Sequence, residues 1–228
     1  MPKAISRVRR PKEQARYVYD RLSRWYDLIA GPGERRARDR GLRRLGARPG
    51  EVVLEVGFGT GHGLVALARS VGPSGRVFGV DLSPGMCRVA SSRVRSAGLS
   101  ERVELLCGDG EALPFPAELF DAAFMSFTLE LFDTPEIPRV LAECRRVLKS
   151  GGRLVVVALS QRERPGLMMR LYERAHRAFP AYFDCRPIYV EAALEEAGFQ
   201  IVSVEGEALW GLPVAVVLSR SVKGQAAS

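Results

Sequence analysis

A glycine-rich turn between a short apolar strand and a helix is the first part of the sequence whose residue types and spacing could do chemistry. The predicted strand VVLEV covers 52–56, and glycines follow at positions 57, 59, 61 and 63. Glycine at such a turn lets the backbone approach a ligand closely. The dinucleotide spacing G-x-G-x-x-G would need a glycine at position 62 or 64, where the sequence has His62 and Leu64. The turn therefore predicts a ligand site that is built for neither NAD nor FAD.

Three acidic residues stand at the ends of successive predicted strands. Glu55 lies just before the glycines, where a carboxylate would repel a pyrophosphate and suits a cationic group such as an amine. Asp81 ends the second strand, where a carboxylate can accept from both ribose hydroxyls, unless it is a helix cap or turn residue. Asp109 follows the third strand and either accepts from an adenine amino group or serves only a turn. Because the carboxyl ends of parallel strands meet at one edge of a sheet, we expect all three to face one ligand.

The elements that must position these residues alternate along the middle of the chain. Further strands are predicted at 76–80, 103–106, 119–127 and 153–159, and helices at 63–71, from Pro84 after the cap residue Ser83, and at 135–148. This alternation favours an α/β fold, in which a parallel sheet carries helices on both faces.

The two ends of the chain have a different pattern. Helices are predicted at 12–30 and 34–46, separated by Gly-Pro-Gly at 31–33, and again at 165–178 and 188–197. The strands QIVSVEGE and LPVAVVLS then follow each other without a helix between them. So short a connection cannot hold a parallel crossover, and it predicts an antiparallel pair.

The length of 228 residues and a hydrophobic content of 46% fit a single domain with a sizeable core. The pattern divides this domain into five segments. These are a basic N-terminal helical lid (1–50), a ligand-binding core (51–160), a helical substrate-covering segment (161–198), a terminal strand pair (199–219) and a flexible tail (220–228).

The excess positive charge is confined to the first of these segments. Residues 1–50 contain 15 Lys and Arg against 5 Asp and Glu, whereas the rest of the chain contains 19 against 21. The segment is either a solvated basic surface or a face that meets something anionic. Lipid headgroups, a phosphate-bearing substrate and nucleic acid are the candidate partners.

Several other classes of protein are excluded by composition. Four cysteines without a CxxC pair predict neither a zinc site nor a disulfide framework, and no metal is expected. No apolar run approaches the roughly 18 residues of a membrane-spanning helix. The N-terminus has no apolar stretch typical of a secretory signal. We therefore expect a cytoplasmic protein with reduced, mostly buried thiols.

Five sequence strings carry a resemblance to a known family: VLEVGFGTG, VFGVDLSPGM, GDGEALPF, FDAAFMSFTLELFD and RVLKSGGRLVVV. In order and spacing they resemble the class I S-adenosyl-L-methionine-dependent methyltransferases. Within that class they are similar to the ubiquinone/menaquinone-biosynthesis methyltransferases and their phospholipid and small-molecule relatives, over about residues 17–160. The resemblance implies a Rossmann-like three-layer sandwich with a seven-stranded, mostly parallel sheet and an antiparallel C-terminal strand. It also implies S-adenosyl-L-methionine as cofactor and S-adenosyl-L-homocysteine as product.

The resemblance also assigns roles to individual residues. The residues that would contact the cofactor are Glu55, Gly57, Phe58, Gly59, Gly61, Asp81, Leu82, Asp109, Gly110 and Ser126. Glu55 would reach the amino acid end, and Asp81 would hold the ribose. Asp109 and the backbone at Gly110 would hold the adenine edge.

Candidate substrate-binding and catalytic residues lie nearer the ends of the chain. Phe127 would face the substrate, and Tyr182 with Arg186 would form an aromatic pocket with an anion-binding arginine, or else pack as a helical lid. A methyl group on a sulfonium is already activated, so the protein mainly aligns the acceptor and excludes water. A phenol or aromatic carbon also needs its hydroxyl deprotonated. Tyr26 and His176 are the candidates for a catalytic role, although a lone histidine is more often structural.

These features favour a methyltransferase that acts on a small-molecule or lipid acceptor, such as a prenylated quinone precursor or a phospholipid amine. The basic first segment predicts peripheral contact with an anionic membrane. A nucleic-acid methyltransferase is the second hypothesis. Enzymes that methylate exocyclic amines have the string (D/N)PP(Y/F) at the fourth strand, where this sequence has MSFT. A non-catalytic cofactor-binding protein is the third, and it would have no need of all three acids.

Overall fold

The fold is built on one seven-stranded sheet with strand order β3-β2-β1-β4-β5-β7-β6. The computed structural model describes Asp20 and residues 31–161, 186–209 and 211–223. The strands are β1 (Val52–Val56), β2 (Arg76–Asp81), β3 (Val103–Cys107), β4 (Phe120–Ser126), β5 (Leu148–Leu159), β6 (Phe199–Leu209) and β7 (Leu212–Ser221). Neighbours from β3 to β5 pair in parallel, and β7 pairs antiparallel with both β5 and β6. The predicted fold class is confirmed, including the antiparallel C-terminal strand.

Helices cover both faces of this sheet. They are α1 (Gly31–Leu45), α2 (His62–Val71), α3 (Pro84–Ser96), α4 (Ile137–Val147) and α5 (Val190–Glu196), with a 3₁₀ turn at Leu129–Leu131. Within the described ranges, no helix is both long enough and apolar enough to cross a membrane.

The central strands bury side chains on both of their faces, as strands of a parallel sheet do. In β4, Ala122 and Phe124 belong to one apolar cluster and Ala123 and Met125 to the other. Successive side chains of a strand point to opposite faces, so four consecutive residues supply both core layers. This is why the strand appears in the sequence as an unbroken apolar run.

Two element boundaries differ from the predicted ones. Gly31 and Pro32 begin α1 instead of interrupting the helices, because a proline in the first helical turn has no N–H to leave unpaired. The segment 150–152, expected to end the preceding helix, belongs to β5, which starts at Leu148. The pairing of β4 with β5 shifts register between Phe120 and Ala122, and this irregularity accommodates the added residues.

The C-terminal strand is longer than the predicted strand pair. β7 continues through Arg220 and Ser221, where the pattern placed the start of a flexible tail. Lys223 Nζ then donates to Glu118 Oε1 at 3.0 Å. Residues 224–228 lie outside the described ranges.

Three of the four cysteines fall in the described ranges, and all three are free thiols. Cys144 is buried and Cys87 is half-buried, but Cys107 is exposed, unlike the mostly buried thiols expected. Cys185 lies outside the described ranges.

Helix α1 lies against β4, β5 and β7, and a glycine permits this close approach. A Cβ built on Gly41 would overlap the Val157 side chain and lie 2.9 Å from Phe124 Cε2. The C-terminal end of α1 is held separately, because Arg153 Nε donates to Leu45 O at 3.0 Å. Arg153 also forms a two-oxygen ion pair with Glu51, at 2.6 and 2.9 Å.

We expect Gly41→Ala to lower the free energy of unfolding by about 1–3 kcal/mol, because the added methyl group overpacks the helix–sheet contact. Helix propensity alone would favour alanine by about 1 kcal/mol. Urea denaturation of the two proteins measures the difference, with Arg43→Ala on the exposed face of α1 as the control. A stabilised Gly41→Ala variant would show that α1 does not pack this closely.

Candidate cofactor-binding site

The glycine turn after β1 is held in shape from β4. Gly57 has φ +71°, a backbone conformation that side chains other than glycine rarely adopt. Thr128 Oγ1 donates to Gly57 O at 3.2 Å and to Ser126 O at 3.1 Å. A Cβ on Gly57 would overlap Thr128, whereas a Cβ on Gly59 would meet nothing within 4 Å. The turn is therefore packed on the Gly57 side and open at Gly59, where a ligand can approach the backbone.

Asp81 joins this turn to the beginning of α3. Its Oδ2 accepts from the Gly59 N–H at 2.8 Å, and its Oδ1 accepts from the Ser83 N–H at 2.9 Å. Ser83 is the helix cap, because its Oγ accepts from the Met86 N–H at 3.2 Å. Burial raises the pKa of Asp81 to about 6, against the opposing effect of the two backbone N–H groups. Each oxygen has further acceptor capacity, which suits a pair of ligand hydroxyls.

Glu55 is a carboxylate inside the protein. The residue is 2% exposed, and its Oε2 has no hydrogen-bond partner among the described residues. Burial raises the pKa of Glu55 from 4.5 to about 8, the Arg38 charge opposes this rise, and the Asp81 charge adds to it. Gly63 makes room for the carboxylate, since a Cβ there would lie 2.7 Å from Glu55 Cδ. A cationic partner would offset the free-energy cost of burying the carboxylate and would supply the missing hydrogen bond.

Asp109 forms a turn contact, which was one of the two roles that the sequence allowed for it. Its Oδ1 accepts from the Glu111 N–H at 3.0 Å. Gly110, beside it, is buried, and a Cβ there would lie 3.1 Å from Val56 Cγ1 at the end of β1. The adenine role of Asp109 stays a prediction.

The end of β4 carries a strained residue. Phe127 has φ +53°, which is costly for a residue with a bulky side chain. Its N–H donates to Val157 O at 2.7 Å, and its side chain is 7% exposed. Ser126 before it is partly exposed. Such strain is typical of functional sites, and here it directs Thr128 onto Gly57.

The remaining predicted site residues fall in different places. Phe58 is packed in the apolar core at 4% exposure, so only its backbone borders the turn. Leu82 is half-buried, and its carbonyl oxygen accepts from Cys107 Sγ at 3.7 Å. The other candidates, Tyr26, His176 and Tyr182, lie outside the described residues.

Arg186 is fully buried instead of lining an open pocket. Its Nη1 donates to Thr134 Oγ1 at 2.9 Å and its Nη2 to Phe132 O at 2.6 Å. Two residues later, the Ile188 N–H donates to Leu159 O at 3.0 Å. These bonds hold the chain that enters α5 against the loop after β4 and against the end of β5. The anion-binding role of Arg186 stays a prediction.

Two supporting residues did not stand out in the sequence. Thr128 acts by packing against Gly57, and Arg38 of α1 acts through its charge on Glu55. Arg38 is one of many arginines in the basic segment, so no local pattern distinguishes it.

The site fits S-adenosyl-L-methionine in the chemistry of its groups. A buried carboxylate at Glu55 suits the ammonium of an amino acid, and Asp81 suits ribose hydroxyls. The backbone at Gly59 is open to a ligand, since a Cβ there would meet nothing within 4 Å. These groups lie at the carboxyl ends of β1 and β2, where open parallel sheets bind ligands.

Comparison with solved structures gives the class of this fold. The chain superposes on the cyclase SpnF with a TM-score of 0.74 at 22% identity, over 96% of this chain and 100% of that one. It superposes on a SAM-dependent methyltransferase from Aquifex aeolicus with a TM-score of 0.65 at 24% identity, over 88% and 98%. At these identities the likeness shows a shared Rossmann-like fold and no more.

Comparison with other sequences finds a matching domain description and a set of similar proteins. Residues 53–152 match the family described as "Methyltransferase domain". The chain is 35% identical over 159 residues to demethylmenaquinone methyltransferase of Symbiobacterium thermophilum, and 36% identical over 154 residues to that of Staphylococcus aureus. Each match covers 66% of this chain and 62% of the relative, so the chain spans less than two thirds of their length. Over these residues the chain is similar to methyltransferase domains and to demethylmenaquinone methyltransferases.

Glu55→Gln is expected to flatten the dependence of stability on pH in the ligand-free protein. Since the pKa of Glu55 is raised to about 8 in the folded state, the folded protein holds a proton that the unfolded chain releases above its usual value of 4.5. This contribution to stability is complete below the lower value and is lost as pH rises through the higher one. Between about pH 5 and pH 8, the wild type should lose roughly 3–4 kcal/mol more than Glu55→Gln.

Urea denaturation across this pH range measures the two slopes. Glu104→Gln, an exposed site in β3, is the matched control and should follow the wild type. Equal slopes for the wild type and Glu55→Gln would mean that Glu55 is already ionised in the folded protein.

Proposed function

We propose that this protein transfers a methyl group from S-adenosyl-L-methionine to a prenylated quinone precursor. The observation that carries the proposal is the 34–36% identity to demethylmenaquinone methyltransferases over 66% of the chain. The site supports it, because its groups complement a ligand that has an amino acid end and a ribose. These groups are Glu55, Asp81 and the open turn at Gly59.

In this proposal, each residue of the site binds a different part of the cofactor. Glu55 holds the ammonium, Asp81 accepts from the ribose hydroxyls, and Asp109 with Gly110 borders the adenine. Gly59 gives the backbone approach that a side chain would prevent. When bound, S-adenosyl-L-methionine supplies a methyl group already activated by its sulfonium. The protein then has to position the acceptor and exclude water.

The acceptor enters from the end of β4. Ser126, which is partly exposed, would border the acceptor, whereas the Phe127 side chain is packed in the apolar core. The loop that follows is held by Arg186. Carbon methylation of a quinol ring requires a hydroxyl to lose its proton, so this acceptor calls for a general base. Tyr26 and His176 are the proposed candidates for that role, and substitution of each tests them.

The activity must be measured directly, because the cyclase SpnF has the same fold. We expect the wild type to transfer labelled methyl groups from S-adenosyl-L-methionine to demethylmenaquinone in detergent, and not to phosphatidylethanolamine or RNA. Asp81→Asn should weaken cofactor binding by about 10–100-fold in calorimetry, because it removes a charged acceptor, and turnover should fall with it.

Glu104→Gln serves again as the folded, exposed control. Label in the lipid amine or RNA, with none in the quinone, would replace the acceptor class. A folded wild type that binds no S-adenosyl-L-methionine or S-adenosyl-L-homocysteine would overturn the methyltransferase function itself.

We propose further that the basic segment brings the protein to an anionic membrane, where a prenylated acceptor resides. Part of this charge is used internally, since Arg40 and Arg44 pair with Glu205 and Glu207 of β6. Other arginines of α1 remain at the surface, and the Arg35 side chain is 77% exposed.

Removing two exposed charges from α1 should weaken binding to phosphatidylglycerol vesicles. We expect Arg35→Gln with Arg36→Gln to reduce the partition coefficient by about tenfold or more, at roughly 1 kcal/mol per arginine. The matched control is Arg69→Gln with Arg95→Gln, two exposed positions on α2 and α3. Equal losses in both double variants would indicate a net-charge effect, and no binding by the wild type would refute membrane contact.

A further inference from the structure

Two cysteines from different strand–helix units meet at the backbone between β2 and α3. Cys87 lies in the N-terminal half of α3, and its Sγ donates to Asp81 O at 3.9 Å. Cys107 is the last residue of β3, and its Sγ donates to Leu82 O at 3.7 Å. The two thiols are therefore bonded to consecutive carbonyl groups of one short turn.

The pairing of β2 with β3 keeps these thiols together. Asp81 and Cys107 are partners across the two parallel strands, and Asp81 O also accepts from the Gly108 N–H at 3.0 Å. The Cys87 thiol, which donates to the same carbonyl oxygen, is in hydrogen-bond contact with the Cys107 thiol. Sulfurs in contact are the arrangement from which a disulfide forms with little movement of the backbone.

The two thiols differ in their access to solvent. Cys107 is exposed, whereas Cys87 is half-buried. Burial raises the pKa of Cys87 to about 12, and the nearby Cys107 and Asp81 contribute to this rise. Because the thiolate is the form that attacks an oxidant, Cys87 is a poor first nucleophile. An exposed thiol beside a protected one is typical of a reactive cysteine and the partner that resolves it.

We propose that Cys87 and Cys107 form an oxidation site, at which a peroxide converts the two thiols into a reversible disulfide that weakens cofactor binding. The effect on the cofactor rests on the proposed function, whereas formation of the disulfide does not. A purely structural pair, whose thiols serve only as donors to Asp81 O and Leu82 O, is the competing explanation.

The oxidation takes place in two steps. The Cys107 thiolate attacks hydrogen peroxide, so that an S–O bond forms, the O–O bond breaks, and the released hydroxide is protonated to water. The Cys87 sulfur then attacks the sulfenic sulfur of Cys107. This forms the S–S bond, breaks the S–O bond and releases a second water that carries the Cys87 proton. The two sulfurs together lose two electrons, which the peroxide takes up.

The disulfide would act on the turn that holds the Asp81 carboxylate. Oxidation removes the S–H donors from Asp81 O and Leu82 O, and the new bond pulls α3 toward the end of β3. The Asp81 carboxylate, which accepts from the Ser83 N–H, lies in this turn, and Asp109 follows Cys107 closely in the chain. A shift of either segment would displace the groups proposed to hold the ribose and the adenine.

Mass spectrometry of tryptic peptides tests the disulfide. Cys87 lies in peptide 77–88 and Cys107 in peptide 103–139, whereas Cys144 and Cys185 lie in other peptides. We expect hydrogen peroxide to join 77–88 to 103–139 in the unreduced digest, and dithiothreitol to separate them. In Cys87→Ser, the sulfenic acid of Cys107 should persist and be trapped by dimedone.

Calorimetry on the oxidised and reduced protein tests the effect on the cofactor. We expect the oxidised wild type to bind S-adenosyl-L-homocysteine about tenfold more weakly or worse, as loss of one hydrogen bond to a charged group would cause. Dithiothreitol should restore the affinity. Thermal unfolding of each form checks that the fold is intact.

Two serine variants are the controls. Cys107→Ser keeps a hydroxyl donor for Leu82 O, so it should bind as the reduced wild type does and lose no affinity in peroxide. This separates oxidation of the two thiols from peroxide damage elsewhere. Cys185→Ser removes a cysteine outside the pair and should respond to peroxide as the wild type does.

A reversible link between 77–88 and 103–139, together with weakened binding, supports the proposal. Absence of that link, pairing of either cysteine with another one, or equal affinity of the two forms overturns it and leaves the proposed function standing. If the reduced, folded wild type binds no S-adenosyl-L-homocysteine, the proposed function fails and the effect on the cofactor fails with it. The peptide map then still decides whether the two thiols form a disulfide.

Discussion

The geometry of the site depends on the hydrogen bonds that the Asp81 carboxylate accepts. By accepting from the N–H groups of Gly59 and Ser83, it joins the turn after β1 to the turn after β2. These turns begin α2 and α3, so one side chain sets how two neighbouring strand–helix units meet at the edge of the sheet. The two strands are themselves in register from Val52 and Arg76 to Val56 and Val80. A ligand resting on Asp81 therefore contacts both units together.

The charged side chains in this region are suited to binding a charged ligand. Burial raises the pKa of both Glu55 and Asp81, and the Asp81 charge raises the pKa of Glu55 further. Arg38 offsets part of that cost at Glu55 without forming a pair with it. A ligand with a cationic group would favour the ionised form of Glu55, so its binding would be coupled to proton release.

The glycine turn after β1 is supported by residues that follow β4. The strained backbone of Phe127 places Thr128 where it bonds to Gly57 O and packs against the Gly57 backbone. The loop beyond Thr128 is held in turn by the buried Arg186. The surface that would meet the acceptor is thus built on bonded, buried residues. This order is what alignment of an acceptor with an activated methyl group requires.

The sequence by itself determined the α/β class, the glycine turn and the three acids at successive strand ends, because alternating apolar strands and glycine spacing are local signals. It also placed the antiparallel pair, since a short connection permits nothing else. Only the tertiary structure decided that Gly31 and Pro32 begin α1 and that Arg186 is buried. It alone brought Arg38 and Thr128 to the site. Those contacts join residues distant in the chain, and burial and charge acting through space leave no local pattern in the sequence.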